Sequence, residues 1–233
     1  TAMINMLEYE IKSHVIKDYY YVWLVEPESA YHDLATQIRF STLSELPQNE
    51  LVHFLIKKWS WILSTSAMCA VVSVEDSQNE DIKFISNYLK SQSIIDDYGN
   101  YTKPLNKIVD TLIDELTSID YTPLKIAGAI AKISKKLLSP DHENALVKLK
   151  NLLQEKNREC LVMVDSIERY ELNDKIAKSV ITSLIDTSLH FYKKSYTDKI
   201  HCKIALPAEI YPSLPLSTQD KVENKVLFIL WKY

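Results

Sequence analysis

The residues best placed to do chemistry stand together at positions 165–169. Asp165, Glu168 and Arg169 follow directly on the apolar run Cys160-Leu161-Val162-Met163-Val164. An apolar run with no polar interruption suits a strand buried on both faces, the kind found in the middle of a parallel sheet. The carboxylate then falls where such a strand ends, and in open α/β sheets that carboxyl edge is where ligands bind. Asp165 is thereby placed to hold a metal ion, with a second acid and a cation close behind. The same residues also admit a plainer reading, a buried strand whose terminal Asp caps the next turn.

A strand of this kind needs parallel neighbours and covering helices, and the flanking sequence supplies both in alternation. Residues 1–17 carry Met3, Met6, Leu7, Ile11 and Val15 at helical spacing. Residues 19–25 are aromatic and β-branched, stop at Glu26-Pro27 and predict a strand. Ser29 can cap a helix over 30–40, and Leu46-Pro47 starts another from 48 to about 68, with its stripe on Leu51, Phe54, Leu55, Trp59, Ile62 and Leu63. After the central run, the pattern predicts a helix over 173–191 (Ile176, Val180, Leu184 and Ile185 inward), a strand over 200–206 and a last short strand over 226–231. Strand, helix, strand, helix, strand is the signature of an α/β sheet.

Between these flanks the chain changes character. Residues 73–104 are polar and interrupted, with one helix expected at 81–91. From 104 to 158 the pattern is helical almost throughout. Leu105, Ile108, Val109, Leu112, Ile113 and Leu116 form one stripe. Thr122-Pro123 opens a second helix, a capping hydroxyl followed by proline. Ser139-Pro140-Asp141 breaks that helix, and Leu146, Leu149, Leu152 and Leu153 mark a third. The expected organisation is a core formed by 1–72 and 158–233, with 73–157 as a helical insertion or subdomain.

Length and composition bound the class. A chain of 233 residues can bury a substantial core, and 46% apolar with 25% charged residues is ordinary for a globular protein. The net charge of −4 lends no support to a nucleic-acid-binding surface, although it leaves room for a local basic patch. Cys69, Cys160 and Cys202 are odd in number and widely spaced, which suits reduced thiols in a cytoplasmic protein better than a disulfide framework. No apolar run reaches the roughly 18 residues that span a bilayer, so no membrane partner is expected. Gly99 and Gly128 are the two glycines, few for this length, which suggests that glycine-rich segments lie outside the given sequence.

The run Leu161-Val-Met-Val-Asp-Ser-Ile-Glu-Arg169 resembles the Walker B region of P-loop ATPases of the STAND and KAP-like groups. The likeness extends downstream over helix 173–191, strand 200–206 with Pro207-Ala-Glu-Ile-Tyr211, and Asn224-Lys225 leading to Leu230-Trp231. It extends upstream as well. A P-loop ends in Gly-Lys-Ser/Thr and opens a helix, and here Thr1 opens the first helix with strand 19–25 after it. The resemblance covers about 1–70 and 158–233, and it implies an unseen Gly-Lys before Thr1.

What the resemblance implies is a P-loop NTPase-type parallel sheet and Mg²⁺-assisted phosphoryl transfer from ATP to water. Thr1 and Asp165 would hold the Mg²⁺, and Thr1 and Arg169 would face the nucleotide. The first N–H groups of the opening helix would meet the phosphates. One departure is marked: the position after Asp165, often the acid that orients the attacking water, is Ser166. Glu168 is the nearest carboxylate to take that role, two residues displaced, so slow hydrolysis or a switch without rapid turnover fits. Arg169 reads first as a structural ion-pair partner, ahead of a phosphate-facing or intersubunit arginine. The implied biology is an oligomerising switch in bacterial signalling or antiviral defence, with further copies or an effector protein as partner. The rival reading is a non-catalytic helical interaction module whose nucleotide site has decayed.

Other signals carry less. His14, His32, His53, His142, His190 and His201 show no metal-ligand spacing with the cysteines, so no structural zinc is expected. Lys125, Lys132, Lys135 and Lys136 cluster on one predicted helix and read first as a solvated face. Trp59 and Trp61 with Tyr19–Tyr21 could stack bases, but their spacing favours packing.

Overall fold

A computed structural model of the chain describes residues 9–10, 20–25, 28–39, 41–116, 128, 138–165, 174–191, 197–206, 212 and 214. Among the described residues three parallel strands form a sheet: β1 (Tyr20–Val25), β2 (Glu159–Val164) and β3 (Ile200–Ile204), in the order β1-β2-β3. Tyr20 lies opposite Glu159 and Val25 opposite Val164; Cys160 lies opposite Ile200 and Val164 opposite Ile204. The described helices are α1 (Glu28–Arg39), α2 (Gln48–Val72), α3 (Glu80–Ser91), α4 (Pro104–Leu116), α5 (Pro140–Glu155) and α6 (Lys175–Phe191). The protein is thus a mixed α/β fold with a parallel sheet flanked by helices. The expected helix after Thr122-Pro123, the strand at 226–231 and most of the helix over 1–17 lie outside the described residues.

The apolar run at 160–164 becomes the central strand, for the reason its composition suggested. Cys160, Val162 and Val164 point into the main core, while Leu161 and Met163 build a smaller cluster on the other face with Tyr20, Val22 and Leu24. A strand with no solvent face has no position that favours a polar residue. β1, at one end of the described strand order, buries Tyr21 and Val25 and leaves the residues between them half covered.

Helix α2 is the shaft on which the fold is assembled. Its 25 residues span roughly 37 Å at 1.5 Å per residue. It packs against β1, β2, β3, α3, α4, α5 and α6. The predicted stripe of Leu51, Phe54, Leu55, Trp59, Ile62 and Leu63 is buried, but so is nearly every residue from Trp61 to Val71. A helix with neighbours all round has no polar face to show.

The burial includes hydroxyls, which sequence periodicity counts as polar. In α2 and α6 several return their protons to carbonyls of their own helix: Ser64 to Ser60 O at 2.7 Å, Ser183 to Val180 O at 2.8 Å, Thr187 to Ser183 O at 2.6 Å and Ser188 to Leu184 O at 2.8 Å. A small side chain satisfied in this way can sit inside a core. Trp59, fully buried, donates its indole N–H to Val180 O at 3.0 Å and ties α2 to α6. Trp61 is equally buried, so both tryptophans are core residues and not a stacking platform.

Helix starts follow local chemistry. Asn79 accepts from the N–H of Asp81 at 2.8 Å and of Ile82 at 3.3 Å to cap α3. Ser139 accepts from His142 N–H at 3.3 Å to cap α5, with Pro140 at the first helical position. Such a cap contributes about 1 kcal/mol. Ser29 was expected to cap α1, but the helix already begins at Glu28, which places Ser29 in its first turn. α3 and α5 pair with one another, joined by Lys148 Nζ to Asp81 Oδ1 at 2.5 Å. Ile82, Ile85, Leu89, Leu149 and Leu153 from this pair belong to the same hydrophobic cluster as Val162 of the sheet. Among the described residues no helix is long and apolar enough to cross a membrane.

Candidate functional site

Asp165 follows β2 directly, at the carboxyl rim of the central strand, where the apolar run predicted it. The rim is defined by Val25 ending β1, by Val164, whose carbonyl accepts Ala205 N–H at 2.9 Å, and by the chain leaving β3. Asp165 is only 3% exposed. A carboxylate so enclosed is retained at a cost in desolvation, which an exposed turn-capping Asp would not incur. Mg²⁺ takes hard oxygen ligands and keeps several waters, needing one or two carboxylates plus phosphate oxygens. Asp165 fits that requirement as one donor. Among the described residues no group of three or more His, Cys, Asp or Glu is gathered as a metal cage.

The remaining predicted site residues, Thr1, Glu168 and Arg169, and the departing Ser166, lie outside the described residues. The helix leaving this side of the sheet, α6, is closed by its own residues: Asp174 Oδ1 accepts from Ile176 N–H at 2.8 Å, and the same carboxylate pairs with Arg39 at the end of α1. Its first turn is therefore already supplied with a negative charge.

No family model, no characterised protein and no solved structure matches this chain. The functional reading rests on the residues themselves.

Three polar clusters were not singled out by sequence reasoning. The first lies at the opposite, amino-terminal edge of the sheet. Glu75, just past α2, accepts from the Tyr21 hydroxyl, pairs with Lys156 Nζ at 2.9 Å and faces Arg158 Nη1 at 3.7 Å, while the Arg158 guanidinium lies 4.8 Å over the Tyr21 ring. Burial opposes ionisation of Glu75, but the Tyr21 and Lys156 hydrogen bonds and the charges of Lys156 and Arg158 outweigh it and hold the carboxyl below its ordinary value. On the other face of the sheet, at the same edge, Glu159 pairs with His201 across β2 and β3.

The second is Lys58, buried in α2 with its ammonium 4.7 Å from the Phe54 ring centre. Burial, with a smaller push from Lys57, lowers this amine to about 7. Its spacing four residues after Phe54 places it on the buried stripe, the one signal that could have found it.

The third is a chain of side chains joining α2, α3 and α5. Trp61 Nε1 donates to the Tyr88 hydroxyl at 3.0 Å; that hydroxyl meets His142 Nδ1 at 2.7 Å; His142 Nε2 meets Ser64 Oγ at 3.1 Å. All four are buried. Desolvation lowers His142 to about 4 and is the first cause raising the Tyr88 phenol. Nothing in the spacing of Trp61, Ser64, Tyr88 and His142 announces their meeting, because three separate helices bring them together.

Proposed function

We propose that the chain is an ATP-binding P-loop ATPase module, its core formed by 1–72 and 158–233 around a P-loop NTPase-type sheet, with 73–157 as a helical insertion. The reading adds that it acts as an oligomerising switch in bacterial signalling or antiviral defence. The observation that supports it is the position of Asp165: a carboxylate buried at the carboxyl rim of the central strand of a parallel sheet, after an apolar run, which is where such proteins keep their Mg²⁺-holding acid. Asp165 and Thr1 hold the ion, Thr1 and Arg169 face the nucleotide, and Glu168 orients water.

Titration calorimetry of the natural full-length polypeptide with ATP, with and without Mg²⁺, tests the reading. Asp165→Asn is expected to weaken the Mg²⁺-dependent part of binding at least tenfold while the circular dichroism spectrum and thermal midpoint stay close to those of the parent. ATP that binds neither protein, or binds both equally, sinks the proposal and leaves a helical interaction module in its place. Glu168→Gln should abolish steady-state phosphate release while nucleotide binding persists. Release at the parent rate would remove Glu168 from the chemistry.

A further inference from the structure

The order of donors and acceptors along the Trp61–Tyr88–His142–Ser64 chain is set by its two ends. An indole N–H can only donate, so the Tyr88 oxygen accepts from Trp61 and is left with its own proton to give. At the far end Ser64 has two carbonyls within reach, Ser60 O at 2.7 Å and Trp61 O at 3.1 Å, which can only accept. The single Ser64 proton goes to the nearer carbonyl, leaving Oγ to accept from the imidazole. Tyr88 O–H then donates to Nδ1, and the imidazole proton sits on Nε2. All the hydrogen bonds in the line then run in one direction, from the Trp61 indole to the Ser60 carbonyl.

We propose that this chain is a one-way latch that holds the α3–α5 pair against α2 only while His142 is neutral with its proton on Nε2, so that protonation of His142 releases the pair. A proton added at Nδ1 would point at a hydroxyl that is already donating to it. To accommodate it, the Tyr88 oxygen must take two donors and turn its own proton toward the buried Thr65 hydroxyl, which lies beside the phenol. Facing the imidazole from α3 is the Tyr88 phenol and from α2 the Ser64 hydroxyl, neither of which carries charge. On α5 the preceding Asp141 acts on the Tyr88 phenol. The imidazolium would therefore be desolvated and would force the phenol to reverse its hydrogen bond, whereas in an opened state it would be solvated.

The sign follows. The folded imidazole titrates at about 4, below its ordinary 6.5. The latch is fully effective above pH 6.5 and weakens as pH falls through the interval between those values. Two measurements on the full chain test this. In ¹⁵N-histidine spectra at pH 7, His142 is expected as the Nε2–H tautomer and should not titrate near 6.5; an Nδ1–H tautomer, or titration at the ordinary value, overturns the proposal. In hydrogen exchange corrected for intrinsic rates, opening of α3 and α5 should rise about fortyfold from pH 6.5 to pH 4.5, as values of 6.5 in the open and about 4 in the closed state require, with β2 changing far less. His142→Gln, which keeps a donor toward Ser64 but cannot titrate, should flatten that rise to under threefold. If it fails to fold, Tyr88→Phe serves: it removes the hydrogen bond that Nδ1 accepts from the phenol, so the neutral imidazole is held less tightly and the rise in opening should shrink, whereas an undiminished rise counts against the latch. A rise that survives His142→Gln, or opening spread equally over the sheet, refutes the latch.

Discussion

Trp59→Ala is expected to lower the unfolding free energy by about 3–5 kcal/mol, the range for truncating a fully buried tryptophan. The ring sits where α2 crosses α6, has no exposed surface and donates to Val180 O. Truncation removes the apolar surface it buries, leaves a cavity between two helices that also support the sheet, and strands no acceptor of consequence, since Val180 O also receives the Ser183 hydroxyl at 2.8 Å. The cost is therefore mostly packing. Trp59→Phe, which fills much of the volume but lacks the N–H, should cost less than half as much. Against a typical total of about 5–15 kcal/mol, the alanine variant would be close to unfolding at 37 °C. Urea denaturation monitored by circular dichroism measures both; a loss below about 1 kcal/mol for Trp59→Ala would mean that α2 and α6 are not packed through this residue.

Glu75→Ala should cost about 3 kcal/mol at pH 7, because it leaves three donors without their shared acceptor. Tyr21 from β1 and Lys156 and Arg158 from the segment entering β2 all converge on that carboxylate, so its removal unpins the amino-terminal edge of the sheet. Its carboxyl titrates below the ordinary value in the folded protein. Its contribution is thus present above the ordinary carboxylate range and disappears as pH falls through the folded value. The gap between parent and Glu75→Ala should accordingly narrow between pH 7 and pH 3 in urea titrations. A gap of equal size at both ends would show that Glu75 acts by packing and not by charge. Tyr21→Phe, which keeps the ring beneath Arg158 and loses only the hydroxyl, should cost about 1 kcal/mol.

These two effects sit at opposite poles of what the amino-acid order reveals. Trp59 belongs to a stripe at helical spacing, and such a stripe declares its own burial. Glu75 stands in a polar stretch between helices and reads as solvent-facing. It becomes structural only because α2 ends beside the start of β1, which carries Tyr21, and beside the turn that carries Lys156 and Arg158. His142 is a similar case: its position in the first turn after a Ser-Pro cap is legible, its enclosure by Tyr88 and Ser64 is not.

Local order by itself marked the described helices and the central strand. Periodicity marks helices, an unbroken apolar run marks a strand without a solvent face, and Asn79 or Ser139 before a helix satisfies its first N–H groups within a few residues, so all of these are written in nearest neighbours. What the tertiary structure alone decided is which polar groups meet. The all-round burial of α2, the Glu75 cluster and the directed line from Trp61 to Ser64 depend on contacts between residues tens of positions apart. Such contacts carry no periodicity, because a hydroxyl or an imidazole reads as polar in the chain whether water or another helix will satisfy it.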